Sequence, residues 1–73
     1  MTLNELNIGD VYYIKEIKDS SKIKRRLFDM GFIPNTKIEC ILKNNNISAY
    51  LIRNTLIAIR KIDAMEIEVA SYV

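Results

Sequence analysis

Few side chains in this sequence could do chemistry. There is no histidine and a single cysteine, Cys40. A Ser–His–Asp triad, a Cys–His pair and a histidine general base are therefore out of reach. Metal chemistry is poorly supplied as well. A zinc or ferrous site takes several Cys, His and carboxylate groups in one shell, and this chain alone could build only a carboxylate site. Asp63, Glu66 and Glu68 come nearest to one, but Glu66 and Glu68 share a strand face that reads as solvated. Cys40 stands between Ile38 and Leu42 on a well-alternating stretch, which predicts a buried structural thiol. No catalytic, cofactor-binding or metal-binding residue is assigned.

What remains is the chemistry of contact. Lys22, Lys24, Arg25 and Arg26 form a basic cluster, and Phe28 follows it away from the apolar stripe of the same helix. Such a cluster is either the wet side of an amphipathic helix or a docking face for an acidic partner. An aromatic outside the stripe is an interface anchor or packs under the N-terminal arm. Lys24, Arg25 and Phe28 are the candidate partner-binding residues. An arginine supplied in trans can speed nucleotide hydrolysis, but no loop visibly presents Arg25, Arg26, Arg53 or Arg60. Tyr12, Tyr13, Tyr50 and Tyr72 suggest a base-stacking platform. Against it stand the mild net charge of +2 and the lack of a glycine-rich phosphate loop. Nucleic acid is not the expected partner.

The stretch Lys22–Lys37 organises the elements that must position these residues. Ile23, Leu27 and Met30 recur at i, i+4 and i+7, one face of a helix running to about Met30. Asp19, Ser20 and Ser21 are three candidate N-caps, and Asp29 can pair with Arg25. Gly31 stops the helix where positive φ is wanted, and Pro34-Asn35 makes a turn.

Strand signals flank this helix. Thr2–Gly9 reads as a short extended arm covering a barrel edge. Val11–Lys18 is a strand with apolar residues on both faces, which suggests a bulge. Thr36–Lys43 alternates, with Ile38, Cys40 and Leu42 on one side. Ile47–Arg53 and Thr55–Lys61 form the next pair, turned at Asn54. Ile62–Met65 reads as a 3₁₀ turn, and Glu66–Ala70 closes the sheet with Ile67 and Val69 inward. The expected fold is mainly β: a small SH3-like barrel of about five antiparallel strands with one short α-helix after the first strand. Its 73 residues make one domain, and 49% hydrophobic content is enough for a packed core. Some of Ile41, Ile52 and Leu56 must lie outside so small a barrel, which leaves room for weak self-association.

The N-terminus has no basic region leading into an apolar run, so no signal peptide is expected. No stretch approaches a membrane span. A cytoplasmic location is expected.

Four pieces in order resemble the ferrous iron transport protein A family, FeoA. Leu3, Leu6 and Gly9 resemble its opening "L..L..G". Arg26-Leu27-Phe28-Asp29-Met30-Gly31-Phe32 resembles its "RLlDLGl" helix end. Pro34-Asn35-Thr36 with Ile38 resembles its "PGT.V" turn. Ala58-Ile59-Arg60-Lys61 with Asp63-Ala64 and Ile67 resembles its "aLRk.dA..I.v" close. Asn35 and Asn54 stand where the family usually has Gly, and Asn is the next-best residue for positive φ. The resemblance implies an SH3-like fold. It also implies a non-enzymatic accessory role in bacterial ferrous iron uptake, exerted on the cytoplasmic GTP-binding region of the FeoB permease. The same fold serves as the C-terminal module of metal-dependent repressors, so an interaction domain of that kind is the alternative, and a small-barrel nucleic-acid binder is a second.

Overall fold

The computed structural model describes all residues, Met1–Val73. Five strands form one antiparallel sheet in the order β4-β3-β2-β1-β5. They are β1 (Val11–Ile17), β2 (Lys37–Leu42), β3 (Ile47–Ile52), β4 (Thr55–Arg60) and β5 (Ile67–Ala70). Helix α1 (Lys24–Asp29) follows β1, and α2 (Lys61–Ala64) joins β4 to β5. The sheet curls around a core of 14 residues that includes Ile14, Ile38, Tyr50, Ile52, Ile67 and Val69.

Two bulges produce the curl. Along β1 and β5, Ile14 pairs with Val69 and Glu16 with Glu68, so Lys15 is an extra residue. That insertion turns Ile14 and Ile17 both inward, three positions apart, and answers the two-faced pattern of this strand. The second bulge was not anticipated. Cys40 pairs with Tyr50, but Leu42 rather than Ile41 pairs with Ala49. Leu42 is therefore carried to the outside, 61% exposed, and does not join Ile38 and Cys40 in the core.

The N-terminal segment is not an extended arm. Leu3–Glu5 is a 3₁₀ turn. Side chains three apart eclipse in that geometry, so Leu3 and Leu6 both enter the core. The Glu5 carboxylate reaches back to accept the Thr2 N–H at 2.6 Å, which holds it below the usual carboxylate range. Lys43 Nζ donates to the carbonyls of Asn4 and Leu6 at 3.0 and 2.6 Å, tying the turn to the end of β2.

Helix α1 ends as its sequence predicts. Gly31 has φ +100°, its N–H donates to the Phe28 carbonyl, and the Phe32 N–H donates to the Leu27 carbonyl. These bonds define a Schellman motif, and its customary apolar contact partners, Leu27 and Phe32, are both fully buried. The helix start differs from expectation. Its N-cap position is Ile23, and no side chain caps it. Asp19 instead pairs with Lys24, while Ser21 Oγ accepts the Ile23 N–H at 3.4 Å. The expected Asp29–Arg25 ion pair does not form; the ion pairs are Met1–Glu68, Lys24–Asp19 and Arg60–Asp63. The segment after β4 is a single α-turn rather than 3₁₀, because the Met65 N–H reaches the Lys61 carbonyl.

Asn35 and Asn54 both take positive φ, 71° and 64°. Arg53 does so too, at 51°, which makes Arg53-Asn54 a two-residue type I′ hairpin loop between β3 and β4. Arginine has no local preference for this region, where most L-residues lose roughly 1–2 kcal/mol. Arg53→Asn should therefore raise stability by about 0.5 kcal/mol or more, seen as a higher urea midpoint at unchanged m-value. An unchanged or lower midpoint would contradict this.

Candidate docking surface

The strongest of the expected contact residues meet on the outer side of α1. Lys24 and Phe28 are one helical turn apart, and the Lys24 ammonium lies 6.0 Å from the centre of the Phe28 ring. Asp19 holds that ammonium from the other side at 2.6 Å, and the bond draws the Asp19 carboxyl below its ordinary range. The Lys24 ammonium thus sits between the Asp19 carboxylate and the Phe28 ring. Phe28 is 39% exposed, so it does not pack under the N-terminal segment. Arg25 is exposed and forms no ion pair.

Phe28 borders a shallow groove completed by Asp29, Met30, Gly31, Ile33, Arg53 and Thr55. Ile33 and Arg53 were missed as site residues. Ile33 is 41% exposed, and its signal in the sequence was an apolar residue directly before the Pro34 turn. Arg53 had no local signal. It arrives from the β3–β4 hairpin, and its aliphatic arm rests against Gly31. The basic cluster is not one surface. Arg26 lies on another groove, between α1 and β4, with Ile23, Met30, Ala58 and Arg60.

The remaining reactive groups are occupied elsewhere. Cys40 is buried in the core, and burial raises its thiol pKa against the opposing pull of the Lys43 charge, with Asp10 and Glu39 adding to the rise. A thiol reagent should leave Cys40 unlabelled in the native protein at neutral pH and label it fully in denaturant. Rapid native labelling would refute the buried placement. Asp63 is bound by Arg60 Nε at 2.9 Å, Glu66 accepts the Ser20 hydroxyl at 3.1 Å, and Glu68 pairs with the Met1 amine. No three Cys, Asp or Glu side chains gather closely enough to share an ion. The tyrosines form no common platform: Tyr50 is in the core, while Tyr72 is exposed with Lys15 Nζ 5.5 Å from its ring. No helix is long and apolar enough to cross a membrane.

No curated protein matches the sequence. Among solved structures, the iron(II) transport protein A of Clostridium thermocellum is 32% identical with a TM-score of 0.88, over 97% of this chain and 45% of that one. The Stenotrophomonas maltophilia FeoA complexed with zinc, described as a prokaryotic SH3 domain protein, has a TM-score of 0.85 at 23% identity, over 94% of this chain and 88% of that one. A manganese-dependent transcriptional repressor shares the fold at 13% identity and a TM-score of 0.86, over 100% of this chain and 41% of that one. The five-stranded sheet is thus an SH3-like fold. The FeoA domain model matches residues 1–71, and the chain belongs to the FeoA family.

Proposed function

We infer that this protein is a non-enzymatic accessory factor of ferrous iron uptake. It works as one cytoplasmic domain that docks on the GTP-binding region of the FeoB permease. The observation that carries the reading is the exposed Phe28 at the edge of a shallow groove that also holds Met30 and Ile33, with the Lys24 ammonium beside its ring. A half-exposed aromatic flanked by cations contributes little to folding and much to an interface. The descriptions of two structural relatives, an iron(II) transport protein and a FeoA suggested to act as a ferrous iron transport activating factor, support the choice of process. Docking biases the permease by binding one conformation of its GTPase region better than another.

Phe28 supplies the apolar anchor, and Lys24 and Arg25 steer an acidic partner surface. The test is a binding titration against the permease's soluble GTPase domain, with and without nucleotide. Phe28→Ala should weaken binding about 30-fold, the loss of an interface hot spot. Its urea midpoint should stay close to that of the parent chain. Lys24→Ala with Arg25→Ala should slow association, more so at low salt. Unchanged affinity in both variants would overturn the reading. The likeness to the repressor reaches the fold alone. It leaves a regulatory interaction module as the second reading, favoured if the GTPase domain fails to bind and a transcription factor does.

A further inference from the structure

The sheet has an open edge at β4, which pairs with β3 alone. The Lys61 N–H donates to the Asn46 carbonyl at 2.8 Å, and the register runs Ser48–Ile59, Tyr50–Ile57 and Ile52–Thr55. Hydrogen-bonded pairs alternate along an antiparallel ladder, so the odd-numbered residues of β4 bond to β3. The N–H and C=O of Leu56 and Ala58 point the other way, and no turn or side chain of this chain takes them. Unpaired strand edges are usually blunted by cover or bulges. Here a groove of about 390 Å³ runs beside the edge instead, between β4 and α1.

The geometry points to this groove as a β-augmentation site for an extended, acidic segment of a partner protein. Backbone donors and acceptors in a row are satisfied by another strand. The walls select its side chains. Half-buried Ile23 and Met30 offer an apolar seat. Arg60 is already bound to Asp63, whereas Arg26 on the opposite wall forms no ion pair. The free charge therefore asks for a carboxylate. A second copy of this chain is a poor occupant, since its own β4 carries no carboxylate to meet Arg26. This site adjoins the Phe28 groove, with Met30 between the two, and stands whether or not that surface binds the permease.

The test uses the full chain, isotope-labelled, titrated with a decapeptide of alternating valine and glutamate. A matched valine–lysine peptide is the control. The glutamate peptide should shift the amide resonances of Leu56–Arg60 and Ile23–Met30 and protect the Leu56 and Ala58 amides from hydrogen exchange. The lysine peptide should do neither. Arg26→Glu, at an exposed helical position, should weaken binding about tenfold or more, as a close charge pair turned to repulsion does. Ala58→Pro removes one outward N–H without touching the β3 ladder and should abolish the protection if the variant folds. Absence of shifts at the edge, equal binding of the lysine peptide, or an Arg26→Glu variant that binds unchanged would overturn the proposal. Concentration-dependent dimerisation through β4 would also overturn it, by giving the edge to a second copy.

Discussion

Phe32→Ala is expected to leave the chain without a cooperative unfolding transition at room temperature. Phe32 is fully buried and closes the Schellman motif against Leu27. Truncating a buried phenylalanine costs about 3–5 kcal/mol in transfer and cavity terms. A chain of 73 residues holds a total stability on the order of 5 kcal/mol. The loss therefore consumes most of what keeps the fold together. Urea denaturation followed by circular dichroism measures it. Phe32→Leu, which retains most of the volume, should keep a sharp transition at a lower midpoint. A Phe32→Ala variant that unfolds cooperatively within about 1 kcal/mol of the parent would mean that the site collapses around the void.

Gly31→Ala should lower stability by about 2 kcal/mol, from two separable causes. The first is the backbone. At φ +100° an L side chain is strained wherever the space allows it. The second is steric, since a Cβ built at Gly31 would lie 2.5 Å from Cδ of Arg53. That neighbour is the middle of a flexible side chain, so it can swing aside at modest cost. Arg53→Ala in the same chain should return the steric part and leave the backbone part. The two substitutions are thus expected to be non-additive, with the double variant more stable than the sum of the singles predicts. Strict additivity in the thermal midpoints would remove Arg53 from the account.

The turn chemistry was legible because it is local. Gly31, Asn35 and Asn54 announce left-handed backbone by residue type, and each has it. Alternation placed Ile38, Cys40, Ile67 and Val69 in the core for the same reason. The failures were non-local or depended on a choice among equivalent partners. Nothing in Ile41-Leu42 signals which residue the bulge will skip, because that is settled by pairing with Ala49 across the sheet. Asp19 could cap a helix or meet Lys24, and the ion pair won. The N-terminal segment is a 3₁₀ turn rather than an extended arm, and the three-residue spacing of Leu3 and Leu6 fits either form equally well. The candidate surface divides in the same way. Lys24 and Phe28 were visible on one turn of helix, whereas Arg53 reaches that groove only through the β3–β4 hairpin.

The pairing of β1 with β5 bears on how the protein is made. The segment before β1 docks on β5: Thr2 bridges Glu68, and the Val69 N–H donates to the Met1 carbonyl. Leu3 and Leu6 share one core with Ile67 and Val69. A nascent chain on the ribosome therefore holds β1 to β4 with its interior open until residues 67–70 have emerged. Such distant pairings also slow folding. In the cell this interval, rather than the finished fold, is when the apolar strands are exposed to chaperones and proteases.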